Sequence, residues 1–257
     1  FYLSEQTSIE ILNCTISHTK YPAIFLIDHS NVIVKNSIIK SIEASAINIE
    51  EKSFGLIEET TFSEVTKNCI LCFDSELRTK NNVIYNSKFP AIALGMKSKA
   101  SIFGDKLFKS TVNCIASRGA SEVKIDGCEI SDIGLTGISI SDTEKVTIRN
   151  CKIKNCEVAG VEAYNNSKVE ITNTEISQIK KHAFLAFTAG YIKAENNIIS
   201  DINDAVVKLV YKGSGDFINN KILKNCAIQC ECQTSSFYFF NKNGNFTSRT
   251  NDASRAS

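Results

Sequence analysis

The 257-residue chain holds only 2 Pro, 12 Gly and no Trp. That leaves it short of ordinary turn signals, so it must be largely helical or turn by some other device. Helix fails first, because β-branched residues dominate and a 3.6-residue apolar period is not sustained. No apolar run approaches the ~18 residues of a membrane helix. The opening Phe1-Tyr2-Leu3-Ser4-Glu5-Gln6 lacks the basic and apolar regions of a signal peptide. A start without Met suggests a segment excised from a larger protein. Excess charge of one sign is missing too: 29 Lys plus Arg stand against 28 Asp plus Glu, a net charge of +1. That argues against a nucleic-acid binder relying on a strong overall positive field. Neither nucleic-acid binding nor membrane insertion is therefore expected. Abundant instead are Ile (34) and Asn (24), with 10 Cys. The apolar content excludes disorder for most of the chain.

These residues recur on a period. The pattern Asn-x-x-Ile has its first position at Asn13, Asn36, Glu59, Asn81, Asp105, Gly127, Asn150, Asn173, Asn196 and Asn219, in steps of 22 to 24 residues. Three residues later comes an apolar row from Ile16 and Ile39 through Phe108 to Ile222. A small-residue row follows 8 to 10 places after the Asn row, from Ala23 through Cys69, Cys114 and Gly160 to Ala205 and Ala227. Period-2 stretches such as Val123-Lys124-Ile125 and Val146-Thr147-Ile148 precede the Asn row. Each repeat thus holds about three short β-stretches and no helix-length segment. The pattern predicts an all-β chain, a single-stranded right-handed parallel β-helix of about ten coils of 22–24 residues. Corresponding residues would stack ~4.8 Å apart. The Asn row, Asn13, Asn36, Asn81, Asn150, Asn173, Asn196 and Asn219, reads as a structural ladder that stabilises a corner without Gly or Pro. The expected domain covers residues 1–240, with coils over about 7–235 and a capping strand at 236–240. Residues 241–257 read as a polar tail or linker.

The frame seen in Gly137-Ile138-Ser139-Ile140 and Val146-Thr147-Ile148-Arg149-Asn150-Cys151-Lys152-Ile153 resembles the β-helix repeats of the pectin-lyase-like superfamily. That superfamily includes polysaccharide lyases, glycoside hydrolases, alginate epimerases, copper-maturation proteins of the NosD type and the substrate-recognition part of certain F-box proteins. The resemblance covers roughly residues 7–235 and implies the fold, since the repeat carries shape rather than chemistry. The Asn-Thr-Asp, Asp-Asp, Gly-His-Gly and Arg-x-Lys set of polygalacturonases has no counterpart beyond Asn173-Thr174-Glu175.

Candidate chemistry is sparse. Cys69 and Cys114 stand in the small-residue row, as buried free thiols do, and favour a cytoplasmic, reducing compartment without excluding an extracellular one. Cys226, Cys230 and Cys232 are weak candidates for a disulfide or a metal site, and no cofactor is expected. Glu129, Lys152 and Glu175 fall two places after the Asn row in successive coils. They are the first residues to examine if the protein is an enzyme, as a base beside a cation. As alternating charges they also fit ordinary cross-strand pairs on a solvated face. Two places after the small-residue row, Phe25, Leu71, Ala93, Ala116 and Leu185 suggest an outward apolar strip for a protein partner. The leading expectation is therefore a non-catalytic scaffold for protein recognition. The alternatives are a polysaccharide-active enzyme or carbohydrate-binding module, and thirdly a surface adhesin.

Overall fold

The structure is a computed structural model that describes residues 1–223, 226, 230–232 and 238–240. Strands and turns alone make up the described residues, and the strands form three parallel sheets of 11, 11 and 10 strands. Each coil gives one strand to each sheet, as Ile24–Leu26, Asn31–Lys35 and Ile38–Ile42 do for the first, second and third sheets. Every strand pairs with its equivalent one coil later: Ile24 with Ile47, Val146 with Val169, Ile130 with Ile153. This is the right-handed parallel β-helix expected from the repeat.

Period-2 alternation turns one residue of each pair inward, so each apolar row becomes a continuous column. Ile24, Ile47, Ile70, Ile92, Ile115 and Ile138 form one such column, all fully buried. Each side chain of this size contributes about 1.5–3 kcal/mol on burial. Coils approach closely at Gly160, where a Cβ would lie 2.8 Å from Ile176 Cγ2 and 2.9 Å from the Ala183 carbonyl oxygen.

The missing turn device is the left-handed backbone of non-glycine residues. The Asn row sits at φ between 49° and 56°, from Asn36 to Asn196, with Glu59 at 50°. Their N–H groups still join the next coil, as Asn13 N does to the Lys35 carbonyl at 3.1 Å and Asn81 N to that of Phe103 at 2.9 Å. Asn is the residue that best tolerates this conformation, which costs other L-residues about 1–2 kcal/mol. The seven Asn side chains point to solvent. The buried polar ladder is the position immediately after: Cys14 N donates to Ser37 Oγ, Ser37 N to Thr60 Oγ1, Thr60 N to Asn82 Oδ1 and Asn82 N to Asp105 Oδ1. It resumes from Cys151 through Thr174 to Asn197 and Asn220.

In the fifth coil the corner is Gly104, at φ 64°, so Asp105 belongs to the buried ladder and not to the corner row. Leu107 consequently turns into the core, and Phe108 faces outward, stacked on Tyr85 at 5.2 Å. Near the other end, Tyr238–Phe240 pairs with Asp216–Ile218 and extends the second sheet. The first two residues of the expected capping strand, 236 and 237, and the expected tail over 241–257 lie outside the described residues.

Candidate functional site

First-sheet strands lengthen along the rod, from three residues at Ile24–Leu26 to six at Thr136–Ser141, Ala159–Tyr164, His182–Phe187 and Ala205–Val210. A longer strand shows two outward residues where a short one shows a single one. The C-terminal half of this sheet is therefore a broad face with two columns of side chains.

The first column runs Phe25, Asn48, Leu71, Ala93, Ala116, Ser139, Glu162, Leu185 and Lys208, each paired with the next. Phe25, Leu71, Ala93, Ala116 and Leu185, the residues expected to meet a protein partner, all stand in it and are half-buried. They do not form one apolar strip. Asn48 separates Phe25 from Leu71, while Ser139 and Glu162 separate Ala116 from Leu185. Counting two places on from Ala205 would put Val207 in the ninth place, but Ala205 pairs with His182, Val207 turns inward beside Phe184, and the ninth place is Lys208. The second column includes Arg118, Ser141, Tyr164, Phe187 and Val210.

Glu162 stands at the centre of the broad face. Its carboxylate accepts hydrogen bonds from Ser139 Oγ and, at 3.2 Å, from Thr136 Oγ1. Burial pushes its pKa up, and the two hydroxyls oppose that shift only in part. Tyr164, two places on along the same strand, stacks against Phe187 with ring centroids 4.8 Å apart and planes 4° from parallel. Arg118 lies two coils before Tyr164 in its column, and Lys208 two coils after Glu162. The arrangement is a half-buried carboxyl of raised pKa beside a stacked aromatic pair, with a cation on either side. Glu162 falls two places after Gly160, in the outward row that the sequence predicts to be an apolar strip. The available signal was the period-2 step from Glu162 to Tyr164 and the 23-residue step from Tyr164 to Phe187.

Glu129, Lys152 and Glu175 are brought together on the third sheet, Glu129 paired with Lys152 and Lys152 with Glu175. All three are exposed, preceded by Lys106 and followed by Ile198. Glu170, Lys193 and Asp216 alternate in the same way on the second sheet.

Cys226 bridges to Ile202 at the end of the third sheet, and burial raises its thiol pKa. Cys230–Cys232 continues the first sheet. Cys69, Cys72, Cys114, Cys128, Cys151 and Cys156 are buried free thiols. Burial pushes Cys72 and Cys156 up to about 12, and Cys69 and Cys114 higher still.

A family profile described as right handed beta helix region matches residues 1–108 and 91–253. Among solved structures, the periplasmic alginate epimerase AlgG is similar over 86% of this chain and 76% of its own, at 9% identity and a TM-score of 0.56. The catalytic domain of a GH87 alpha-1,3-glucanase in complex with nigerose is similar over 91% of this chain and 64% of its own, at 15% identity and a TM-score of 0.51. At such identities the likeness is one of fold. Among curated proteins, none matches the sequence. The cytoplasmic expectation is corrected here, since a periplasmic enzyme shares this fold over most of the chain and points away from the cytoplasm. The physical reason is that the core thiols serve as small apolar side chains, and burial raises the pKa values of Cys69, Cys72, Cys114 and Cys156. Their unpaired state reports packing rather than redox compartment.

Proposed function

The chain belongs to the right-handed β-helix family, and we propose that it acts on a polysaccharide laid along the outward face of its first sheet, with Glu162 transferring the proton. The observation that carries this reading is the half-buried Glu162 carboxyl, oriented by Ser139 and Thr136 beside the Tyr164–Phe187 stack. Hydroxyl donors fix its direction, and its raised pKa brings it nearer the range in which a carboxylate is an effective base. The stacked pair adds apolar surface beside the carboxyl. Two-carboxylate hydrolysis needs a second carboxyl ~5–9.5 Å away. The neighbours of Glu162 in its column are Ser139 and Leu185, with Lys208 next. One carboxyl flanked by cations fits removal of a sugar ring proton, with the developing negative charge stabilised by Arg118 or Lys208, the chemistry of lyases and epimerases. The polysaccharide-active similarity of the fold agrees with this reading. Nothing observed supports a scaffold for protein partners, because polar residues interrupt the apolar strip.

Glu162→Gln tests the proposal. With unchanged circular dichroism, its rate on uronate polymers, followed by unsaturated ends or by epimerised residues, is expected to fall at least ~100-fold. The wild-type rate should rise with pH above the ordinary carboxylate range as Glu162 ionises. Full activity in Glu162→Gln together with loss in Glu175→Gln would move the site to the Glu129, Lys152 and Glu175 row of the third sheet.

A further inference from the structure

The outward face of the second sheet has a different chemistry. One column runs Phe54, Glu76, Lys99 and Glu122, and the next runs Arg78, Ser101, Lys124, Thr147 and Glu170. Lys145 and Lys168 continue the first column at the same 23-residue step, and Tyr191 pairs with Lys168 beyond them. Between the columns lies a groove of about 380 Å³, lined by Glu76, Arg78, Lys99, Ser101, Glu122 and Lys124.

The acids of this groove are already engaged. Glu76 is held by Arg78 at 2.7 Å. Glu122 is shared between Lys124 at 3.0 Å and Lys145 at 2.8 Å, and these ammonium groups hold its carboxyl down at about 2. Lys99 stands between the two acids in the ladder, yet among the described residues neither Lys99 nor Lys168 forms an ion pair. Positive charge therefore exceeds negative along the groove. Ser101 keeps its floor low between Arg78 and Lys124.

We propose that this groove binds the carboxylate groups of an acidic polysaccharide, a second contact with the polymer on a different sheet from Glu162. The proposal rests on the polysaccharide reading given above and narrows it to an anionic chain. Cationic side chains recur here at the ~4.8 Å strand spacing, close to the length of one sugar unit. The run is bracketed by flat rings, Phe54 under the Arg78 guanidinium at 5.4 Å and Tyr191 at the far end. A sugar ring gains apolar contact at Tyr191, whereas a bare phosphate chain gains nothing there. With a net charge of only +1, the attraction is local to this face and not a field of the whole molecule. Engaging one polymer at two places raises its effective concentration at the first sheet.

Binding to polygalacturonate, neutral dextran and double-stranded DNA, measured by calorimetry at low and moderate salt, tests the groove. Lys99 is exposed, so its replacement should leave the fold intact. Lys99→Glu is expected to weaken polygalacturonate binding about tenfold, Lys124→Gln less, while Lys99→Arg keeps it. Dextran affinity should not respond to Lys99→Glu. The proposal is overturned if wild type does not bind polygalacturonate, if Lys99→Glu binds it unchanged, or if DNA binds equally tightly. Glu162→Gln separates the two sites: lost turnover with retained polymer binding supports both. Turnover that survives in Glu162→Gln, with binding still sensitive to Lys99→Glu, removes the catalytic assignment alone.

Discussion

Asp105 shows how one residue tunes this architecture. It is fully buried in the polar ladder, where Oδ1 accepts from Asn82 N at 2.7 Å and Asn82 Nδ2 at 3.1 Å, and Oδ2 accepts from Thr79 Oγ1 at 2.5 Å. Burial outweighs these donors and raises its pKa to about 6. An unfolded Asp titrates at about 3.9, so the folded chain holds this proton more tightly. Its contribution to stability is full below about pH 4 and is lost as pH rises through about 6, a change of roughly 3 kcal/mol. The same ladder position is Asn in other coils, at Asn82, Asn197 and Asn220. Asp105→Asn should therefore raise the thermal midpoint at about pH 8 and lose that advantage at about pH 4. Thermal melts at both pH values check this, and equal midpoints at pH 8 would contradict it.

At the scale of the element, the corner and the ladder are neighbouring rows with different duties. Asn196 holds the left-handed corner at φ 56°, its side chain exposed. Asn197 is buried. Its Oδ1 accepts from Thr174 N at 2.9 Å, and its Nδ2 donates to the Ile171 carbonyl at 3.1 Å and to Asn220 Oδ1 at 2.9 Å. Removing that amide strands a buried N–H, which costs about 1–3 kcal/mol for that group alone. Ala at the corner loses only the Asn preference for left-handed backbone, about 1–2 kcal/mol at most. Asn197→Ala should therefore destabilise more than Asn196→Ala in urea titrations. The reverse order would return the ladder to the corner row.

Across the whole molecule, each coil contacts only its neighbours, so stability is graded along the axis. Ile9 and Ile16 in the first coil are only partly buried, as is Ile222 near the far end, whereas Ile39, Ile84 and Ile176 are fully buried. Amide exchange should accordingly be fastest in the terminal coils and slowest between about Val32 and Ile179, with protection declining smoothly. Uniform protection, lost in one step, would contradict this one-dimensional behaviour. The same geometry gives the rod separate faces of different chemistry: Glu162 with its stacked aromatic pair on the first sheet, and the cationic groove on the second.

The coil number, the sheet composition and most inward rows were legible because a 23-residue period repeats the same apolar positions, and burial follows directly from alternation. Legibility failed where the period slips by one residue. At Gly104 and Asp105 the slip exchanged corner for ladder. Between Phe184 and Val207 it exchanged Lys208 for an apolar residue in the outward row. A single-residue shift reverses which face a strand residue occupies, so an error invisible in composition inverts the chemistry of the site. The candidate site was hidden for a related reason. Glu162, Tyr164 and Phe187 carry no motif, and Arg78, Lys99 and Lys124 are scattered over three repeats. Periodicity in the chain was enough to determine the coil, its core columns and its polar corners, because those repeat locally. Which side chains from different coils share a face, and which carboxyl is buried enough to hold a proton, only the stacking of the coils decided, because cross-coil register and solvent exclusion arise from packing.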